Sequence, residues 1–138
     1  MQKKEFVEKK DHSYTVTWIE NDILYMVYKP DLIVTLDVAK TIVSERLEHY
    51  SDNTRPMFID IRNLVAVDAK ARDYFTSEEA TRYISAGAVF LEHSLTNIIT
   101  SIAGNVFLKV DKPPIPTQIF TNSDTALQWL ESYKYQER

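Results

Sequence analysis

The chain predicts an α/β domain: a mixed, mostly parallel five-stranded sheet with about four helices, in the order β-β-α-β-α-β-α-β-α. Three observations predict it. After an opening hairpin, the apolar period switches repeatedly between helix and strand. Two runs, Met57–Ile61 and Gly87–Leu91, are apolar at nearly every position, as in strands covered by helices on both faces. The chain closes on a strand–cap–helix unit, PTQIFTNSDTALQWLESY, over Pro116–Tyr133. Alternation of this kind implies a sheet with helices packed on its faces.

The elements follow in order. Residues 1–12 alternate Lys3, Lys4, Lys9 and Lys10 with Glu5, Glu8 and Asp11, and read as a flexible arm; residues 13–138 read as one domain. Tyr14–Glu20 alternates, with Tyr14, Val16, Trp18 and Glu20 on one side and Thr15, Thr17 and Ile19 on the other. Asn21-Asp22 is a tight turn and Ile23–Lys29 the return strand, ended by Pro30-Asp31. Thr35 or Asp37 opens a helix whose stripe is Leu36, Ala39, Ile42, Val43, Leu47 and Tyr50. The strand ending at Ile61 leads through a loop, Arg62–Val67, to a helix over 69–84. That helix breaks near Phe75-Thr76, because Thr76-Ser77-Glu78-Glu79 has the pattern of a capping box. Gly87–Leu91 is the next strand. Ser94 caps a helix to about Lys109, and a loop with three prolines precedes the closing unit. There Asn122 or Ser123 caps the last helix, which buries Ala126, Leu127, Leu130 and Tyr133.

Composition bounds the function. The chain has 138 residues, 44% apolar and 26% charged, which fits one soluble core. No cysteine occurs, which removes disulfides, thiol catalysis and zinc–thiolate sites. Net charge is −4 with basic and acidic residues interspersed, which argues against nucleic-acid binding. No apolar run approaches the ~20 residues of a membrane span, and the charged N-terminus lacks a signal-peptide core. A cytoplasmic location is expected, without integral membrane contact. With two glycines there is no GxGxxG or Walker loop, and no cofactor is expected.

The "FT…AL.WL" ending, Phe120-Thr121 through Ala126-Leu127 to Trp129-Leu130, resembles the end of SpoIIAA-like (STAS-type) domains. The segment from Ile59 to Ala71 resembles their phosphorylation loop. By that resemblance Asp68 stands on the loop's aspartate, Ala69 on its phospho-acceptor, Lys70 on the next small polar residue and Ala71 on the usual glycine or alanine. A methyl group cannot accept a phosphoryl group, so the serine switch of anti-sigma-factor antagonists is absent from this alignment. The resemblance extends over roughly residues 13–133 in element order and is closest to an uncharacterised bacterial subgroup. It implies a SpoIIAA-like fold and a habit of protein–protein interaction.

Ligands of open α/β sheets bind at the carboxyl ends of the strands. The candidate ligand or partner loop is therefore Arg62, Asn63, Asp68, Ala69, Lys70 and His93. Arg62, Asn63, Lys70 and Arg72 could hold an anion with the helix start, which Asp68 would oppose. The plainer reading makes Asp68 a helix cap and the charges a solvated surface. Asp60, inside an apolar strand, is expected to bond a backbone group or Arg62. No catalytic residues are assigned, because no nucleophile–base–orienter set can be assembled. The histidines, His12, His49 and His93, lack metal-binding spacing.

The segment Leu95–Leu108 contains no charge. Opposite its apolar stripe it presents Thr96, Asn97, Thr100, Ser101, Gly104 and Asn105, a candidate homo-oligomer face, most simply a dimer's. The chain is thus expected to be a noncatalytic domain that binds a protein partner not identified by sequence. The alternative is a carrier or sensor of a small lipid-like or anionic ligand.

Overall fold

The computed structural model describes residues 7–92 and 114–134. The expected helix after Ser94, with His93 and the face from Thr96 to Asn105, lies outside the described residues.

The chain enters through β1 (Lys10–Asp11), β2 (Thr15–Glu20) and β3 (Ile23–Tyr28). Asn21 and Asp22, at φ 52° and 63°, make the two-residue turn between β2 and β3, where both central residues take left-handed backbone. The short β4 (Leu32–Val34) precedes α1 (Leu36–His49). Then come β5 (Arg55–Asp60), β6 (Leu64–Val67), α2 (Ala69–Phe75), α3 (Glu78–Thr81) and β7 (Ile84–Phe90). The closing unit is β8 (Thr117–Phe120) and α4 (Ser123–Glu131).

The main sheet has six strands in the order β1-β2-β3-β5-β7-β8. The first two pairings are antiparallel and the other three parallel. The mixed, mostly parallel α/β layout is as predicted, and β5 is interior as its apolar run requires. Three details differ from expectation. The sheet gains β1, so part of the segment read as an arm is ordered: Lys10 and Asp11 pair with Thr17 and Val16, and His12 is buried. A second sheet forms from β4 and β6, which pair in parallel where only loops were read. Each has three or four residues, too few for alternation to register, and their partners are distant in the chain. The helix expected to reach residue 84 stops at Thr81, and Tyr83, at φ 65°, turns the chain so that β7 starts at Ile84.

Side-chain caps set the helix starts. Thr35, Asp68, Ser77 and Asn122 each accept from a backbone N–H three residues on. At α3 the cap is Ser77 alone rather than a reciprocal box from Thr76, because Glu79 accepts the Tyr74 hydroxyl at 2.7 Å instead.

Alternation divides the core. Leu24, Met26, Met57, Ile61 and Val89 belong to the cluster beneath α1 and α2. Phe58, Ala86 and Ala88 belong to the other cluster, with Ala126 and Leu130 of α4.

Candidate functional site

Three places in the described residues could carry function: the loop after β5, a buried polar network, and a cavity under α1–α3.

The loop begins with an ion pair. Asp60 is buried at the end of β5 and accepts from the Arg62 backbone N–H at 3.1 Å and from its guanidinium at 2.8–3.2 Å. The Arg62 guanidinium also lies 4.7 Å from the centre of the Phe90 ring, a cation–π distance. Its bond to Asp60 is the main reason its pKa stands above the ordinary arginine value. Arg62 is thereby committed to the strand end, as the sequence suggested for Asp60. Asn63 is exposed and, with Arg62, makes the turn into β6, which the Leu64 N–H closes on the Ile61 carbonyl at 3.1 Å.

β6 pairs with β4 through Leu32↔Leu64, Ile33↔Ala66 and Val34↔Val67, with an irregularity between Leu32 and Ile33. Alternation sends Leu64 and Val34 inward and leaves Ile33 and Val65 outward, 57% and 54% exposed. The ribbon runs straight into α2, where the Asp68 N–H donates to the Val34 carbonyl at 3.0 Å. The Asp68 carboxylate caps Ala71 N at 2.8 Å. Ala69 and Lys70 are exposed beside it. The loop candidates Arg62, Asn63, Asp68, Ala69 and Lys70 thus rim a small apolar ribbon, a feature the sequence reading missed. Of the residues weighed as an anion site, Arg62 is held by Asp60 and Arg72 lines the interior cavity.

The buried network joins His12 Nε2 to Thr17 Oγ1 at 2.7 Å and Thr17 Oγ1 to the Tyr50 hydroxyl at 2.9 Å. The His49 ring is 5.3 Å from that of His12. An imidazole beside a hydroxyl is the pairing that nucleophilic catalysis uses. Thr17 is 0% exposed here, so no substrate reaches it, and the network serves to seat β1 and β2 on α1.

The cavity has a volume of about 130 Å³ and lies between β3, β5 and β7 on one side and α1–α3 on the other. Its walls are mostly aliphatic, with Arg46, Arg72, Tyr28, Thr81 and Thr117 as the polar members. Arg46 is 2% exposed and its guanidinium donates to the Arg82 and Ala80 carbonyls at 2.8 and 2.9 Å. Sequence reasoning missed it because the helical stripe was read from apolar residues alone. Position 46 lies three after Val43 and four after Ile42, and that spacing was the available signal. Burial raises the Tyr28 hydroxyl's pKa far above its usual value, with the nearby Arg46 charge opposing, so it stays neutral.

Among the described residues, no group of three or more His, Asp or Glu is placed to hold a metal ion. None of the described helices is long and apolar enough to cross a membrane.

The family model described as "Domain of unknown function (DUF7793)" matches residues 17–134. No curated protein matches the chain. Among solved structures, it is similar to an uncharacterized protein of the DUF3478 family with a SpoIIAA-like fold from Shewanella loihica PV-4. The identity is 15% and the TM-score 0.56, over 94% of this chain and 99% of that one. At this identity the likeness speaks to the fold, and the fold is SpoIIAA-like.

Proposed function

The chain belongs to the DUF7793 family, and on that premise we propose that it is a noncatalytic domain that works by binding another protein through the β4–β6 ribbon and the start of α2. The observation that carries this reading is the outward placement of Ile33 and Val65, 57% and 54% exposed. Both lie on a two-stranded ribbon, where Ile33 pairs with Ala66 and Val65 sits at the irregularity beside it, and Arg62, Asn63, Asp68 and Lys70 at its ends are exposed. An apolar centre with a polar rim is how protein–protein interfaces are built. Ala69 offers no hydroxyl at the helix start, so a phosphoryl group at that position does not regulate the contact.

The test is a comparison of two variants in a pull-down from the native cytosol. Ile33→Glu with Val65→Glu places charges on the ribbon and should leave the fold intact, because both side chains already face solvent. It should abolish capture of the proteins that the wild type retains. Gln128→Glu, an exposed change on α4, which packs on the opposite face of the main sheet, should retain them all. Equal capture by wild type and the ribbon variant would sink the reading.

Self-association through Thr96, Asn97, Thr100, Ser101, Gly104 and Asn105 is a separate proposal that rests on sequence alone. Thr100→Lys with Asn97→Glu should shift sedimentation toward the monomer, because it would place charges at a desolvated contact.

A further inference from the structure

We propose that the cavity beneath α1–α3 is a binding site for a small, neutral, apolar molecule of about six carbons. Protein interiors hold few voids larger than a water molecule, so a space of about 130 Å³ is not ordinary packing. Its size is close to that of apolar cavities of about 150 Å³, which stay dry and admit benzene. A nucleotide or an entire lipid is too large for it. The walls match a compact hydrocarbon: Ile59, Ile84 and Val89 are stiff and aliphatic, while Met26 and Met57 are adaptable.

The polar groups of the wall make the occupant neutral, because the protein already uses them. The Arg46 guanidinium donates to the Arg82 and Ala80 carbonyls. The Thr81 hydroxyl donates to the Ser77 carbonyl at 3.0 Å, and the Thr117 hydroxyl to the Ile115 carbonyl at 3.2 Å. Arg72 is engaged within the protein as well. Tyr28 carries no charge, since burial raises its pKa. No Asp or Glu is among the described lining residues. A charged molecule of either sign would therefore exchange its water for aliphatic side chains and for polar groups committed elsewhere, at a large desolvation cost. A neutral apolar molecule incurs none of it.

Gly87 is an independent sign. A glycine within a strand weakens it and often marks the close approach of a ligand or another backbone. The backbone does not require it here, since no described glycine has positive φ. Crowding does not require it either: an added Cβ would meet Ile59 Cδ1 and Thr117 Oγ1 at 3.8 Å, an ordinary contact. Gly87 lines the cavity, and what the missing methyl leaves is room at its wall.

The test titrates the full chain with benzene and, separately, with butanoate, an anion with the same number of heavy atoms, following methyl resonances by NMR. Benzene should saturate at millimolar concentration or below. It should shift the Ile59, Ile84 and Val89 methyls and leave those of Leu130, on the other face of the sheet, in place. Butanoate should bind at least about tenfold more weakly, because its charge finds no open partner. Gly87→Ala narrows the space and should weaken benzene several-fold. Its dispersed methyl spectrum confirms that it folds. Benzene that does not saturate, shifts confined to other methyls, butanoate bound as tightly as benzene, or unchanged affinity in folded Gly87→Ala would each overturn the proposal.

Discussion

The two faces of β5 come from one run of six residues and solve the packing problem in opposite ways. Toward α4 the sheet offers rings over small residues. Trp18 stacks on Tyr25 at 5.0 Å, Tyr25 and Phe90 each lie 5.5 Å from Phe58, and Ala86 and Ala88 leave room for them. Phe120, Trp129 and Tyr133 continue the series at 5.5 and 4.9 Å. Toward α1–α3 the sheet offers Met26, Met57, Ile59, Gly87 and Val89, with a cavity among them. That face is secured by buried polar links, Arg46 to two carbonyls and His12–Thr17–Tyr50. Rigid rings fill space and specify one arrangement. Flexible side chains with fixed polar anchors leave a cavity.

The largest expected effect tests the ring side. Phe58→Ala should destabilise by about 4 kcal/mol in urea unfolding, because its ring neighbours cannot collapse into the gap. Met57→Ala, one residue away on the other face, should cost about 2 kcal/mol, since it enlarges a space that already exists. Equal costs would remove the contrast between the faces. Next comes Arg46→Met, which keeps the apolar stem and removes two charge-assisted hydrogen bonds. It should cost about 3 kcal/mol in urea unfolding. Retention of wild-type stability would mean that the polar anchors do not hold this face.

Asp68→Ala removes a cap from α2, which covers the cavity side, and should cost about 1 kcal/mol. Melting by circular dichroism measures it; a loss of partner capture at unchanged melting temperature would give Asp68 a role beyond the cap.

The smallest effect is a pH slope from His12. Burial, chiefly, lowers its pKa below 6.5; His49 and Lys10 act in the same direction and Glu45 and Asp11 oppose them. The unfolded chain therefore takes up the proton first as pH falls. The contribution is fully present above the unfolded value of 6.5 and is lost as pH drops toward the folded one. Unfolding free energy should decline between about pH 7 and about pH 5, and His12→Gln should flatten that decline. An unchanged slope in the variant would place the titration elsewhere.

Much of the frame was legible along the chain. The β2–β3 turn, the caps of α1 and α4 to within two candidates each (Thr35 or Asp37, Asn122 or Ser123), the stripes of both helices and the interior place of Met57–Ile61 depend on residues within a few positions of each other. Steric preference, side-chain capping and a period of two or 3.6 operate at that range. The loop after β5 was legible only in part. Asp68 read correctly as able to cap α2, and Asp60 as bound to Arg62, because both contacts are local. The outward ribbon of Ile33 and Val65 was not, since β4 and β6 are short and pair across thirty-odd residues that include α1 and β5.

By itself, then, the sequence determined the alternating α/β order, the interior place of β5 and the absence of a hydroxyl at position 69, each a matter of residue identity or local period. Only the tertiary structure decided that Thr17 and Arg46 turn inward, that His12 is buried, and that a cavity opens beside Gly87. A polar side chain at a given spacing can face water or the core with equal local cost. What settles its side is a partner brought from far along the chain, as the Ala80 and Arg82 carbonyls are brought to Arg46.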